Sequence, residues 1–295
     1  MITIDENRCN QCGLCVNVCV RHILELGENS VRISDPGLCF SCGHCKAICP
    51  SDAPRLANLK EGEFETALKA TEIPPADVFF RFLRGRRSLR NYKNKPVEIE
   101  KLQKIIEAGR FAPTGGNRQA CQFIVVNKKE NLEQVVSLTI RATLEQGARI
   151  REAQERQRRL GEPLPEKYAS QLAYPAIWER IARKWQEGED QLFFHAPALI
   201  VIHVKRGSTP DAEVDSALAG MQMALMAETL GLGTCFNGFL IHSIENSPEL
   251  KESLKIPKDH LAHLAFTVGY PDVQFLRLVA RNPAQVKWIG DSPKN

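Results

Sequence analysis

Eight cysteines within the first 49 residues constrain the fold of this chain more than any other feature. They form two runs with the same spacing, in which successive cysteines are separated by two, two and three residues. The first run is Cys9, Cys12, Cys15 and Cys19, and the second is Cys39, Cys42, Cys45 and Cys49. Thiols clustered in this way, with only Cys121 and Cys235 elsewhere in the chain, predict metal binding.

Zinc and disulfide bonds are the alternatives to this interpretation. Structural zinc usually uses paired C-x2-C knuckles, whereas these runs carry four cysteines and end on a three-residue gap. The N-terminus MITIDENRCN lacks the basic start and apolar stretch of a signal peptide. A disulfide scaffold is therefore disfavoured, and we expect a cytoplasmic protein. Gly13 and Gly43 would permit the tight turns that bring neighbouring thiolates together.

The two runs resemble those of the bacterial two-[4Fe–4S] ferredoxin, in which three closely spaced thiolates hold one cluster and the fourth reaches the other. The resemblance implies one cluster held by Cys9, Cys12, Cys15 and Cys49. It implies a second held by Cys39, Cys42, Cys45 and Cys19. Val20 departs from the pattern, because a proline would be expected after Cys19. Two clusters without a substrate pocket imply electron transfer.

The chain divides into three parts by composition. We expect a ferredoxin domain at 1–58, with short strands in the segments ITI, HILELG and SVRIS. The segment 59–76 is rich in proline and acidic residues and is predicted to be a linker. Residues 77–295 alternate helical and strand-like periodicity. Helices are expected near 77–84, 98–110, 130–159, 165–190 and 213–231, and strands at 122–127, 198–204 and 263–270.

Three local patterns stand out in this larger part. The first is Arg86-Arg87-Ser88-Leu89-Arg90, which offers guanidinium forks and a hydroxyl to a phosphate or a pyrimidine carbonyl. Taken alone, the segment is more often an exposed basic turn than a binding site. The second is the turn that contains Pro113, Thr114, Gly115 and Asn117. The third runs from a helix at Asp215, rich in small residues, to Asn237 and Gly238.

In this order the three patterns resemble the nitroreductase family of FMN enzymes. The resemblance implies an α+β chain, with the ferredoxin-like two-cluster domain followed by a nitroreductase-type three-layer α/β sandwich. It implies a homodimer with FMN at the subunit interface. It also assigns FMN contacts to the following residues: Arg86, Arg87, Ser88, Arg90, Pro113, Thr114, Gly115, Asn117, Asn237, Gly238 and Arg281.

Within that assignment the residues have different roles. The turn from Pro113 to Asn117 would contact the flavin of the opposite subunit, and Arg281 would complete the phosphate site. The backbone N–H groups of Asn237 and Gly238 would point at flavin N5, which does the chemistry, so that no catalytic side chain is expected. Ala120 and Cys121 replace the proline and tryptophan usual in the family.

Other residues are expected to be structural or are left open. His195 and His203 are predicted to be structural, and Cys235 to pack beneath the flavin. The aromatic residues Tyr168, Tyr174, Trp178 and Trp185 predict either a lid over the pocket or a simple packing face. The net charge of +4 is mild and argues against a nucleic-acid surface, and no apolar run is long enough to span a membrane.

The function predicted from these features is that of an iron–sulfur flavoprotein oxidoreductase. Electrons would pass from two [4Fe–4S] clusters to FMN and on to a small electron-poor acceptor, such as a nitroaromatic, a quinone or an enone. Reduced ferredoxin or flavodoxin is the expected donor. NAD(P)H is a less favoured donor, because the chain has no G-x-G-x-x-G motif. The alternative is an electron-carrier or redox-sensing flavoprotein that serves a protein partner without small-molecule turnover.

Overall fold

Two short antiparallel β-ribbons form the N-terminal part of the structure, a computed structural model that describes residues 2–291. Strand β1 (Ile2–Ile4) pairs with β4 (Pro54–Leu56), and β2 (Leu24–Leu26) pairs with β3 (Val31–Ile33). The pairing of β1 with β4 closes the domain, because it joins the two ends of the cysteine-rich segment. All three strands expected from the sequence are present, and β4 was not predicted.

Each cysteine run has one short helix in its middle. Helix α1 (Leu14–Val18) begins after Gly13, and α2 (His44–Ala47) begins after Gly43. Both glycines have the left-handed backbone conformation, with φ of 74° and 79°, which a residue with a Cβ adopts only at a cost. The apolar core beneath the cysteines is small and consists of Ile2, Cys15, Ile23, Leu24, Val31, Cys45 and Leu56.

The segment from 59 to 75 contains single-turn 3-10 helices. Its side chains bond to both the N-terminal and the C-terminal part. Glu61 forms an ion pair with the buried side chain of Lys46 in the N-terminal part. Glu63 accepts two hydrogen bonds from the guanidinium of Arg110 in the C-terminal part, at 3.1 and 2.9 Å. A bidentate pair fixes orientation as well as distance, so this stretch connects the two parts at defined points.

A four-stranded antiparallel sheet forms the centre of the C-terminal part. Its strands are β5 (Gln122–Val126), β6 (Ala198–Lys205), β7 (Gly233–Phe236) and β8 (His260–Gly269), in the order β5-β6-β8-β7. Alternate residues of a strand point to opposite faces, and both faces of the central strand β6 are buried. The sheet therefore lies between two layers of helices.

The helices of this part cover the sheet on both sides. Leu199 and Val201 of β6 belong to one apolar cluster, and Ile200 and Ile202 belong to another. None of the helices in the described part of the chain is long and apolar enough to cross a membrane. In chain order the helices are α3 (Ala76–Gly85), α4 (Ile99–Arg110), α5 (Lys129–Leu160), α6 (Tyr174–Gln186), α7 (Ala212–Thr229), α8 (Gly238–Asn246) and α9 (Pro248–Ser253).

The three-layer arrangement agrees with the predicted fold class, and two element predictions are corrected. The single helix expected over 165–190 is instead α6, preceded by a 3-10 turn at Glu166–Tyr168. Pro175 stands in the first turn of α6, where proline is tolerated, and it would break a helix that continued through it. Strand β7 and helices α8 and α9 were not predicted, because their short segments lack a clear periodicity.

Two buried histidines face each other between adjacent strands of the sheet. His203 on β6 and His260 on β8 place their Nδ1 atoms 2.8 Å apart. At that distance one ring must donate a hydrogen and the other must accept it. His203 is thus a hydrogen-bonded core residue, as the sequence predicted.

This pair predicts that the C-terminal part loses stability in mild acid. Burial, together with the charge of protonated His260, lowers the pKa of His203 below its ordinary value. The unfolded chain then binds more protons than the folded chain, so the free energy of unfolding falls as the pH drops below about 6.5. We expect His203→Gln to flatten this dependence, measured by urea unfolding with tryptophan fluorescence at pH 5 to 8.

A matched control for this measurement is His242→Gln, because His242 is exposed on α8. That variant should retain the pH dependence of the wild type. Equal slopes of the free energy of unfolding against pH for His203→Gln and the wild type would contradict the prediction. Tryptophan fluorescence reports on the C-terminal part alone, because the three tryptophans of the chain are Trp178, Trp185 and Trp288.

Candidate functional site

The eight clustered cysteines line two separate cavities. Cys19, Cys39, Cys42 and Cys45 line one cavity of about 370 Å³, which we call site 2. The other cavity, of about 260 Å³, is called site 1 and is lined by Cys9, Cys12, Cys15 and Cys49. These are the same two sets that the ferredoxin resemblance implies, including the exchange of the last cysteine of each run.

The chemistry of these cysteines fits iron–sulfur clusters. All eight are free of disulfide bonds. No group of three or more ligands within residues 2–291 converges on a single metal ion, and each iron of a [4Fe–4S] cube takes one thiolate at its own corner. Burial raises the pKa of Cys45 to about 11, so cluster binding must release its proton. Backbone N–H groups of Ser41 and Ala53 lie 3.4 Å from the sulfurs of Cys39 and Cys49.

The basic segment that begins at Arg86 is anchored along the edge of the sheet. Ser88 forms a parallel bridge with Thr234 of β7, and the backbone N–H of Leu89 donates to the Thr234 carbonyl at 2.9 Å. The side chain of Leu89 is buried. The segment is therefore held in place by the sheet and is not a free basic turn. We call Arg86, Arg87, Ser88 and Arg90 the cradle.

One atom of the cradle lacks a partner. Within residues 2–291, Arg86 Nη1 is buried without any hydrogen-bond acceptor, and its guanidinium carbon lies 5.9 Å from the centre of the Phe236 ring. A buried guanidinium N–H without an acceptor is costly. An anionic or carbonyl oxygen would satisfy it, and this chemistry fits the phosphate or pyrimidine oxygens of FMN.

The loop before α8 corrects one prediction. The backbone N–H of Asn237, expected to point at the flavin, donates to the Ala265 carbonyl at 2.8 Å. The Asn237 side chain caps α8 through Leu240 and donates to the Leu192 carbonyl at 2.8 Å. Gly238 is the first residue of α8, where a backbone N–H has no acceptor within the helix. Of the two predicted donors, only Gly238 has its N–H available.

The turn from Pro113 to Asn117 is fixed at the start of α7. The Gly115 N–H donates to a carboxylate oxygen of Asp215 at 2.9 Å, and Thr209 donates to the other oxygen at 3.1 Å. Asp215 is 2% exposed, so a buried and fully bonded carboxylate holds the turn. The Thr114 hydroxyl accepts from the Gln119 N–H at 3.0 Å.

Asn117 has a role that the sequence did not predict. Its side-chain amide donates to the carbonyl of Ser41 at 2.9 Å and to that of Phe40 at 3.3 Å. Phe40 and Ser41 lie between two cysteines of site 2. The side-chain amide of Asn117, a residue that the resemblance places in a flavin-contacting turn, is thus bonded to the N-terminal domain. No spacing or composition signal pointed to this contact.

Arg281 and Cys235 complete the residues singled out in the sequence. Arg281 is exposed in the stretch after β8 and donates to the carbonyl of Ala280 at 3.1 Å. Within residues 2–291 it makes no hydrogen bond or ion pair with the cradle, so its place in the phosphate site stays a prediction. Burial raises the pKa of Cys235, although Arg90 and Ser88 oppose this. Cys235 is therefore a neutral thiol, in agreement with a packing role.

An open cleft of about 1330 Å³ lies next to the cradle. Arg90, Arg180, Phe194, His195 and Phe239 are among its lining residues. Phe194 and His195 both have a left-handed backbone, with φ of 59° and 54°, and the His195 backbone N–H donates to the carboxylate of Asp190 at 3.0 Å. His195 accepts from the Asp190 N–H at 3.1 Å, in agreement with a structural role.

The aromatic residues of α6 pack against the cleft wall. Tyr174 and Trp178 both lie against Phe239, with ring centres 5.4 and 5.8 Å away. Trp178 is 3% exposed. Of the two alternatives left open by the sequence, these contacts favour a packing face for Tyr174 and Trp178.

Comparison with known proteins identifies the larger domain. Residues 83–270 match the model of the nitroreductase family. The chain belongs to the nitroreductase family. A 4-nitrobenzoate reductase from a Nocardioides strain is 24% identical over 215 residues, which are 68% of this chain and 84% of that protein. Residues 83–270 include the cradle, the turn and the loop before α8, and the resemblance to the nitroreductase family is confirmed.

The N-terminal segment matches a second family. Residues 4–53 match a 4Fe–4S dicluster domain. An uncharacterized ferredoxin of Methanocaldococcus jannaschii is 33% identical over 57 residues, which are 19% of this chain and 92% of that protein. The predicted fusion of a ferredoxin-type domain to a nitroreductase domain is therefore confirmed.

Solved structures support the fold of the larger domain. An FMN-bound nitroreductase from Desulfitobacterium hafniense is similar with a TM-score of 0.51 and 22% identity, and it covers 70% of this chain and 97% of its own. An FMN-bound nitroreductase from Bacteroides fragilis is similar with a TM-score of 0.50 and 20% identity, and the match covers 70% of this chain and 98% of that chain. At this level of identity the likeness concerns the fold.

Proposed function

We propose that this nitroreductase-family oxidoreductase passes electrons from two [4Fe–4S] clusters to FMN and on to a small electron-poor acceptor. The acceptor class is nitroaromatic, quinone or enone. The single observation that carries the proposal is the hydrogen bonding of Asn117 to Ser41 and Phe40. It places the loop of one cysteine site directly against a turn that the family resemblance assigns to the flavin.

The residues divide into two sets by what they would hold. Site 1 and site 2 would each hold one [4Fe–4S] cluster, because each offers four free thiols around one cavity. Arg86, whose buried Nη1 lacks an acceptor, would bind FMN oxygens together with Ser88. The N–H of Gly238 would approach the flavin ring. FMN supplies two-electron chemistry at N5 when bound.

A homodimer is part of the proposal. Helix α7 exposes Val214, Leu218 and Met221, which lie at helical spacing on one face. The stretch after β8 leaves Leu276 and Ile289 exposed at 83% and 94%. Apolar surface of this extent is unusual for a protein without a partner. A second copy that buries these faces would complete a site at the interface, as the family resemblance implies.

The proposed donor is a low-potential one-electron protein such as reduced ferredoxin or flavodoxin. Reconstituted protein should bind FMN, and photoreduction of its clusters under anaerobic conditions should bleach the flavin absorbance. Nitrobenzoate should then reoxidise the flavin, and steady turnover should be faster with reduced ferredoxin than with NADPH, because the clusters accept single electrons.

The outcomes of this experiment separate the candidate functions. Absence of bound FMN, or reduced clusters that do not reduce it, would refute the proposal. Flavin reduction without turnover across a panel of nitroaromatics, quinones and enones would favour the electron-carrier function instead. Faster turnover with NADPH than with ferredoxin would overturn the proposed donor while leaving the acceptor chemistry intact.

A further inference from the structure

We propose that electron transfer in this protein crosses between subunits, so that site 2 of one chain reduces the flavin bound by the cradle of its partner. This inference rests on the proposed function and adds the route within the dimer. Three features of the described residues carry it: the position of site 2, the position of the turn on α7, and the exposed face of that helix.

Site 2 is the cysteine site at the boundary between the domains. Within residues 2–291, every hydrogen bond that joins segment 2–58 to segment 77–291 runs from Asn117 to Phe40 or Ser41. The Phe40 ring also lies close to Gly116, since a Cβ placed on this glycine would be 3.6 Å from it. Site 1 makes none of these contacts. Electrons therefore leave the ferredoxin domain at site 2, and site 1 faces the donor.

The turn and the cradle of one chain lie at opposite ends of α7. Gly115 is bonded to Asp215 in the first turn of the helix. Ser88 of the cradle and the adjacent Leu89 are bonded to Thr234, five residues after the last residue of the helix, Thr229. Thr229 comes fourteen residues after Asp215 along the helix, which corresponds to roughly 21 Å at the helical rise. A flavin in the cradle is therefore remote from the site 2 of its own chain.

A second copy shortens this separation. The exposed apolar stripe Val214, Leu218 and Met221 runs along α7. A two-fold axis perpendicular to this helix would pair the stripe with its own copy, and the two helices would run antiparallel. Because the midpoint of the stripe is near Leu218, Asp215 of one helix then lies level with the partner's Met221, roughly 12 Å along the axis from the last residue of that helix instead of roughly 21 Å. This brings the turn, with site 2 behind it, towards the partner's cradle.

The electron balance is simple. Two successive one-electron transfers from site 2, with two protons from solvent, reduce the partner's flavin fully. A nitro acceptor takes both electrons and two protons, becomes a nitroso compound and releases water. A reduced ferredoxin or flavodoxin restores each electron through site 1. A photoreduced dye serves as the donor in vitro.

Heterodimers with lesions in defined chains test the route. One chain carries Arg86→Ala and Ser88→Ala, which disable the cradle, and the other carries Cys39→Ser and Cys42→Ser, which disable site 2. Two affinity tags isolate this heterodimer. The only intact site 2 and the only intact cradle then lie on different chains. We expect photoreduction to bleach its flavin at the wild-type rate per bound FMN, with loss of the EPR signal of the reduced cluster.

The control heterodimer pairs one wild-type chain with a chain that carries all four substitutions. Its intact site 2 and intact cradle share a chain, so we expect loss of flavin reduction and a persistent cluster EPR signal. The reverse pattern, or equal reduction in both heterodimers, would overturn the inference. Failure of the wild-type homodimer to reduce its own flavin would instead refute the proposed function.

Asn117 is a positioning residue in this route. Asn117→Asp keeps the size of the side chain and its tolerance of the left-handed conformation, but removes both amide donors. We expect faster hydrogen exchange over 38–48, unchanged exchange over 8–18, and slower flavin reduction. Asn127→Asp, at an exposed position, is the matched control for added charge. Unchanged exchange over 38–48 in the Asn117 variant would overturn this role.

Discussion

Replacing Cys42 with alanine is expected to remove one cluster and to unfold the first 58 residues. Cys42 lines site 2 together with Cys19 of the other run, so the cluster at this site joins two distant parts of the domain. The apolar core beneath it is small, and domains of this size are marginal without metal or disulfide bonds. Cluster binding therefore supplies much of the folding free energy of this domain.

Iron analysis and limited proteolysis measure this effect. The iron content should fall from about eight to about four or fewer atoms per chain, given four irons per cluster. The protease should cleave rapidly within the unfolded first 58 residues. The unfolding transition seen by tryptophan fluorescence should persist, because Trp178, Trp185 and Trp288 all lie in the C-terminal part.

Cys121→Ala is the matched control for this variant. Cys121 is partly buried, lies 3.9 Å from the hydroxyl of Ser216 and lines neither cysteine cavity. The control should retain its iron and its protease resistance. A Cys42→Ala protein with the wild-type iron content would refute the ligand assignment, and one with four irons and a protease-resistant domain would refute the folding argument.

The features that the sequence predicts well are those set by local spacing. The gaps of two residues bring the first three thiols of each run together, and the division of the eight cysteines between two cavities is the one that the ferredoxin resemblance implies. The long helices α4, α5 and α7 and the apolar strands β5 and β6 were predicted nearly to their ends, because periodicity over many residues averages out single exceptions. Strand β7 is only four residues long, so its periodicity cannot be averaged over many residues, and it was not predicted.

The features that the sequence did not predict depend on single partners far along the chain. Asn237 was expected to direct its N–H at a flavin, but the carbonyl of Ala265 accepts it. Asn117 was expected to belong to a turn that contacts the flavin, and its side-chain amide donates to the carbonyl of Ser41, 76 residues earlier. Which of several acceptors a backbone or amide group meets is decided by tertiary packing. The hydrogen-bond partners of individual donors within the segments named by the resemblance could therefore be assigned only from the structure.

Replacing Arg86 with alanine is expected to weaken FMN binding strongly and, at the same time, to leave the apoprotein as stable as before or more stable. Arg86 Nη1 is buried without an acceptor within the described residues, so its desolvation is uncompensated until a ligand oxygen arrives. A hydrogen bond to a charged group contributes about 1.5–3 kcal/mol, which corresponds to roughly a 10- to 150-fold rise in the dissociation constant.

Two measurements and two companion variants make this expectation specific. Flavin fluorescence titration of the apoprotein gives the dissociation constant, and urea unfolding followed by tryptophan fluorescence gives the stability. Arg86→Lys should fall between wild type and Arg86→Ala, because an ammonium keeps the charge but lacks the planar fork. Arg158→Ala, on the exposed end of α5, should change neither quantity. If Arg86→Ala lowered the stability of the apoprotein and left the FMN affinity unchanged, Arg86 would be a structural residue, and the unpaired nitrogen would not belong to a flavin site.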